Sequence, residues 1–234
     1  MKKIFTKLVR FRNPDFSLPD STGSDLLITF GFTTINQLCR GTKLLFRGRH
    51  PKWMMLGRNV RFRYLSRIQF GKMLKAGDYV LFSALGKRGI SLGNNVSIGS
   101  FSQVVVSTTL NNPGEGISIG DRVGIGEFAY LGGGGGLKIG SDCIVGQYFS
   151  CHPENHHYQD IESLIRLQGV SRKGIEIGSG CWIGSKVTIL DGSVIGNHCV
   201  IAAGAVVSGT FPDHSVIGGV PARIIKSRLR QTAA

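Results

Sequence analysis

From residue 177 onward an aliphatic side chain returns at every sixth position: Ile177, Ile183, Ile189, Ile195, Ile201 and Val207. A helix repeats its apolar face near 3.6 residues and a single strand near 2, so a sustained period of six fits neither. It fits short strands separated by tight bends. Three such sides close one coil, and stacked coils bury each aliphatic against the same slot above and below. The pattern recurs upstream as Leu92, Ile98, Val104, then Ile119, Ile125, Leu131, then Ile139, Val145, Cys151. Three insertions interrupt it: NNPGEG at 111–116, GGGGG at 132–136 and HPENHHYQDIESLIRLQGVSRKG at 152–174. In a solenoid these are expected to leave the coil as surface loops, where function commonly resides.

The pattern predicts an all-β fold, a parallel β-helix solenoid, in three parts. Residues 1–52 form a basic, partly apolar segment that is irregular and lies outside the repeat. Residues 53–215 form the β-helix, starting from a degenerate stretch at 53–74 and carrying the long 152–174 loop. Residues 216–234 form a cap, in which Pro221 is expected to open a short helix rich in Arg and Lys over the coil's open end.

Glycine follows most of the periodic aliphatics, at Gly93, Gly99, Gly120, Gly126, Gly140, Gly146, Gly178, Gly184 and Gly196. A corner there calls for a permissive backbone, so these glycines are read as structural. Cys143, Cys181 and Cys199 each fall four residues after a periodic aliphatic, in a slot that Val123, Val187 and Ala205 fill elsewhere. They are read as small buried hydrophobes. Together with Cys39 and Cys151 they make an odd number, which suits a reducing compartment.

The net charge of +14 is unevenly distributed: residues 1–75 hold 16 Lys and Arg against 3 Asp and Glu, the remainder 12 against 11. A basic stretch of this kind meets nucleic acid, acidic polysaccharide or an anionic membrane. No helix-turn-helix spacing, zinc-finger pattern or RNP-like motif supports nucleic acid. The opening MKKIFTKLVR lacks a following apolar region and small-residue cleavage site, so a cytoplasmic protein is expected. The apolar patch Leu26–Cys39 is too short and too polar to span a bilayer, yet could lie on one.

The tandem [LIV]-G-x-x-x-x units, with CWIGSKVTIL, VIAAGAVV and GGVPARIIK, resemble the hexapeptide-repeat acyltransferases, nearest the sugar and polysaccharide O-acetyltransferases and akin to the galactoside and maltose acetyltransferases. The resemblance covers about residues 90–228. It implies a left-handed parallel β-helix, assembled as a homotrimer, with acetyl-CoA as acyl donor in grooves between subunits and a sugar as acceptor. The hand comes from the resemblance alone, since parallel crossovers in general favour the right-handed form.

Acetyl transfer to a hydroxyl needs a base, and imidazole titrates near working pH. The stretch HPENHHYQD at 152–160 offers three histidines. The family register implies His156 as the general base, with His157 and His152 next, and Asp160 or Glu154 near enough in sequence to orient an imidazole. A zinc site of the γ-carbonic anhydrase type would use His152 and His157, but it needs another His from a preceding coil and none occurs between His50 and His152. No metal is therefore expected. Cys151 could form an acyl-enzyme, yet its periodic slot points it to the core, which favours direct transfer.

The resemblance also implies that Trp182 lies beside the active site, against pantetheine or substrate. It further implies that the backbones of Ser185 and Ala203 hold the pantetheine arm, and that Lys226, with Arg223 and Arg228, meets the phosphates. Where many relatives carry a Lys toward CoA this chain has Gly209, which leaves Lys186 or a neighbouring subunit to compensate. The oxyanion donor would be a backbone N–H near the loop or Trp182. An amine acceptor, as on an amino sugar, and a non-catalytic scaffold share the same coil.

Overall fold

The computed structural model describes residues 2–10, 12, 15–19 and 21–229. Residues 53 onward wind into a three-sided parallel β-helix. Its first face stacks strands from Met55–Leu56 to Ser215–Gly219, its second runs from Arg61–Arg63 to Val206–Val207, and its third from Ile68–Phe70 to Thr210–Phe211. Each coil visits the three faces in order. The periodic aliphatics point inward and stack in columns; Ile125, Val145, Ile183 and Ile201, for example, are successive partners on the first face and are all buried. Burial of each such side chain contributes about 1.5–3 kcal/mol.

The register confines all variation in length to one corner. From the first face to the second, and from the third back to the first, the inward residues are always six apart, as in Ile98 to Val104 and Ile119 to Ile125. Between the second face and the third, the chain runs from Cys151 to Ile177 in the fifth coil but only from Val207 to Phe211 in the seventh. Every long loop therefore leaves along a single edge, and the loops pack on one another.

The repeat glycines have a different cause from the one their position suggests. None of the nine lies at positive φ; that conformation falls two residues later, at Asn95, Phe101, Arg122, Phe128, Asp142, Tyr148, Gly180, Lys186 and His198. The glycines are needed because the next coil passes too close: a Cβ on Gly99 would lie 2.5 Å from Glu127 N and Gly126 C. The left-handed residues give the corner its turn, at a cost of about 1–2 kcal/mol for a non-glycine side chain. In one corner they are aromatic, and Tyr79, Phe101, Phe128 and Tyr148 stack ring on ring at 5.2, 5.2 and 5.0 Å, each about half exposed.

Three expectations are corrected. The GGGGG run does not leave the coil as a surface loop: Gly132, Gly133 and Gly134 are buried, because the loops above and below lie across them. The N-terminal segment is helical, with α1 at Lys2–Arg10, α2 at Ser24–Gly41 and a 3-10 turn at Thr42–Arg47. Polar residues interrupt its apolar run without glycine or proline inside α2's first two turns, which suits a helix once the strand of Met55–Leu56 offers a surface to pack on. The C-terminal element is a strand rather than a helix: a cis Val220–Pro221 bond turns the chain back, and Ala222–Ser227 pairs antiparallel with Ser215–Gly219. Backbone pairing covers the coil's last edge more completely than a helix laid over it would. Residues 230–234 of the expected cap lie outside the described residues.

The opposite edge is closed by cations. Lys43 Nζ donates to Val60 O at 2.6 Å, Arg49 Nη2 to Ile68 O at 2.8 Å and Lys52 Nζ to Phe70 O at 2.9 Å, while Arg47 reaches Phe62 O. Part of the N-terminal basicity is thus structural, satisfying first-coil carbonyls that have no preceding strand to pair with.

Candidate active site

The long loop of the fifth coil is a hairpin. Asn155–His156 pairs antiparallel with Val170–Ser171, with His156 opposite Val170. Around this hairpin lies a cavity of about 550 Å³ lined by Asn155, His156, His157, Tyr158, Gln159 and Ser171. His156 and His157 are therefore brought to one open cavity, with acceptor and donor groups around them. His152 is not: it ends the strand Ser150–His152 on the second face, where its ring stacks on Tyr130 at 5.5 Å. Burial pushes the Tyr130 phenol up, with the Glu154 carboxylate adding to it.

The foot of the hairpin is held by Arg172, a residue that no motif or spacing singles out. Its guanidinium bonds Glu154 Oε2 through both Nε and Nη2 at 2.9 Å, Asn112 Oδ1 at 2.8 Å and Pro113 O at 3.2 Å. One side chain thereby ties two insertions together across the coil between them. That coil contributes the glycine run as a floor: a Cβ on Gly134 would meet Glu154 Oε2 at 2.6 Å, and one on Gly135 would collide with Pro153 O. Sequence separation of 18 and 60 residues carries no periodic signal for these contacts.

Asp160 does not orient a histidine within the chain. Its carboxylate accepts from Ser163 Oγ at 2.6 Å and from Glu162 N at 3.0 Å, bonds that hold it below the usual carboxylate range. Glu154 is engaged by Arg172. Cys151 is fully buried and desolvation pushes its thiol up, which removes it as a nucleophile. The thiols of Cys143, Cys181 and Cys199 are buried as expected, each donating to a carbonyl of the following coil, Gly178 O, Gly196 O and Pro212 O. Among the described residues no three His, Cys, Asp or Glu side chains gather closely enough to hold a metal ion.

The residues expected to meet the donor cluster elsewhere. Trp182 stands on the first face, 58% exposed, paired with the still more exposed Ile144 of the preceding coil. Ser185 and Ala203 occupy successive coils of the corner between first and second faces; Ser185 Oγ donates to Gln147 Oε1 at 2.9 Å, and Ser185 O accepts from Gly204 N. Arg223, Lys226 and Arg228 are exposed on or just past the last strand, which extends the same face; Arg228 Nη1 donates to His198 O at 2.5 Å. An apolar indole, a corner of backbone groups and three cations follow one another along this side, a donor set that fits an acyl chain, an amide-bearing arm and phosphates. Gly209 sits at φ +103°, a conformation that disfavours any Lys there. His156 and this group of residues lie on different sides of the same chain, His156 on the edge between the second and third faces and the others on the first face and the corner beside it.

Residues 174–209 match the family model "Bacterial transferase hexapeptide (six repeats)". A protein of Mycobacterium tuberculosis named as a probable acetyltransferase is 36% identical over 92 residues, covering 39% of this chain and 31% of its own length. WbbJ of Escherichia coli K12, named for lipopolysaccharide biosynthesis O-acetyl transfer, is 33% identical over 103 residues, covering 41% and 53%. The chain thus spans between about a third and a half of these curated relatives. Among solved structures, a hexapeptide-repeat-containing acetyltransferase of Vibrio cholerae, complexed with acetyl coenzyme A, aligns with 28% identity and a TM-score of 0.52 over 59% of this chain and 71% of that one. By its repeat, its three-sided coil and these matches, the chain is similar to the bacterial hexapeptide-repeat transferases and has the left-handed parallel β-helix fold.

Proposed function

We propose that this protein transfers an acetyl group from acetyl-CoA to a hydroxyl of a sugar or polysaccharide precursor, with His156 as general base. The observation that carries the reading is the hairpin cavity, where the imidazole that the family resemblance implies as base lies among polar groups able to position a hydroxyl. Bound acetyl-CoA supplies the activated thioester. His156 takes the proton of the acceptor hydroxyl as its oxygen bonds to the thioester carbonyl carbon, and returns that proton to the sulfur as the carbon–sulfur bond breaks. Asn155, Tyr158, Gln159 and Ser171 orient the acceptor, while Trp182, Ser185, Ala203, Arg223, Lys226 and Arg228 hold the donor. The acetyltransferase relatives and the acetyl-CoA complex support this reading.

Because the base and the donor side occupy different corners, the reading requires a second copy to bring them together, which a homotrimer supplies. The half-exposed aromatic ladder of Tyr79, Phe101, Phe128 and Tyr148, with Ile144 beside it on the first face, is the surface such an assembly would cover. The test is CoA release from acetyl-CoA over a panel of sugars and amino sugars. His156→Ala is expected to lower turnover by about 100-fold or more while calorimetric CoA binding persists. Equal rates in the two proteins would remove His156 from the role, absence of CoA binding would leave the coil a scaffold, and turnover only with amino sugars would move the reaction to nitrogen.

A further inference from the structure

The helical segment carries an apolar surface that the coil does not use. In α2 only Leu27 and Gly41 are buried. Ile28, Phe32 and Ile35, spaced four and three residues apart, form one stripe and are 46, 65 and 58% exposed. With Phe5, Leu27 and Gly31 they line an open groove of about 250 Å³ whose walls are almost wholly apolar. α1 packs against the same helix, Phe5 meeting Phe30 edge-on at 5.4 Å. α1 holds Lys2, Lys3, Lys7 and Arg10 and no acid, and Lys3 and Lys7 are exposed. These cations are distinct from Lys43, Arg47, Arg49 and Lys52, which cap the first coil.

An apolar stripe with cationic flanks is the signature of a helix that lies in a membrane interface. No helix of the described residues is long and apolar enough to cross a membrane. We propose that α1 and α2 dock this protein on an anionic lipid bilayer, with Ile28, Phe32 and Ile35 entering the headgroup–acyl boundary and Lys3 and Lys7 meeting anionic headgroups. Charge selects this occupant over a second copy. Residues 1–41 contain 6 Lys and Arg against 3 Asp and Glu, with four of the cations and none of the acids in α1, so a copy of the same segment would bring like charge to like, whereas anionic lipid is complementary.

The experiment is co-sedimentation of the full chain with phosphatidylcholine vesicles, with and without phosphatidylglycerol. Binding is expected with phosphatidylglycerol and to fall with added salt. Lys3→Gln with Lys7→Gln should weaken it by about 30-fold, from about 1 kcal/mol per basic residue near the surface. Phe32→Ser with Ile35→Ser should weaken it by about tenfold or more at unchanged salt dependence. Because both pairs lie outside the coil, the thermal midpoint should not move in either variant. Equal binding to phosphatidylcholine alone, or unchanged binding by the Phe32 and Ile35 variant, would overturn the proposal. So would a fall in oligomeric mass of that variant in a protein that binds no vesicles, which would assign the stripe to a second copy.

Discussion

Arg172→Ala should loosen the hairpin that carries His156 without unfolding the coil beneath it. Hydrogen bonds to a charged group contribute about 1.5–3 kcal/mol when desolvated. The Glu154 side chain is 38% exposed, so its pair with Arg172 is discounted to about 1 kcal/mol. The bonds to Asn112 and Pro113 leave from a guanidinium only 20% exposed and add about 1–2 kcal/mol. Together these oppose local opening by about 2–3 kcal/mol, so the open population should rise about 30- to 150-fold. Hydrogen exchange would register this as faster exchange at His157, whose N–H donates to Gly169 O at 3.1 Å across the hairpin. Amides of Ile177 and Ile183 in the coil should keep their protection. Activity should fall tenfold or more with little change in CoA binding, because the donor side lies at another corner. Arg172→Lys restores charge but not the forked geometry and should recover only part. Unchanged exchange in the hairpin with intact activity would refute the account of how the loop is held.

Gly146→Ala should destabilise strongly, since its Cβ would lie 2.6 Å from Ser185 N in the next coil, whereas Gly124→Ala, with no heavy atom within 4 Å, should leave the thermal midpoint nearly unchanged. Gly209→Lys has open space but a φ of +103°, and should cost about 1–3 kcal/mol, read by chemical denaturation. Asp213 accepts from Asn197 N at 2.7 Å, and Asp78 from Arg58 N at 2.7 Å; these bonds, first among their causes, hold both carboxyls below their usual range. Because the folded pKa is the lower one, the stabilisation is complete above an unfolded value of about 3.9 and is lost as pH falls through the folded value. The thermal midpoint should therefore hold level down to about pH 4 and drop below it, more gently in Asp213→Asn; an unaltered acid profile in that variant would count against Asp213.

The coil was legible because it is a local pattern repeated. A column such as Val145, Ile183 and Ile201 reads directly from spacing, and the buried slot of Cys143, Cys181 and Cys199 follows from the same register. What spacing could not convey was anything decided between coils. Gly99 looks like a flexible corner and is instead a point of closest approach. The glycine run looks like a loop and is a buried floor, because its role depends on what the flanking insertions lay across it. Pro221 suggests the start of a helix, but the unpaired edge of Ser215–Gly219 recruits the following residues as a strand. Arg172 emerges only when insertions 60 residues apart meet at one edge.

That edge also explains how the molecule can vary its site without risking its core. An added residue at either of the two invariant corners would shift every inward side chain of the next strand to the outer face, so those corners keep six-residue spacing from Leu56 to Ile217. At the third corner the strand can restart in register after any excursion, and the chain spends its longest one, from His152 to Gly174, on histidines. In the proposed function the donor groups stand on the first face and the invariant corner beside it, and the acceptor groups at the edge that can change. Donor chemistry would then be common to proteins with this coil, and acceptor choice particular to this chain. Exchanging 153–174 for the corresponding loop of another such coil should alter the acceptor profile while leaving CoA affinity intact. A chimera that keeps the original acceptor preference would show that the residues choosing the sugar lie on the faces and not at that edge.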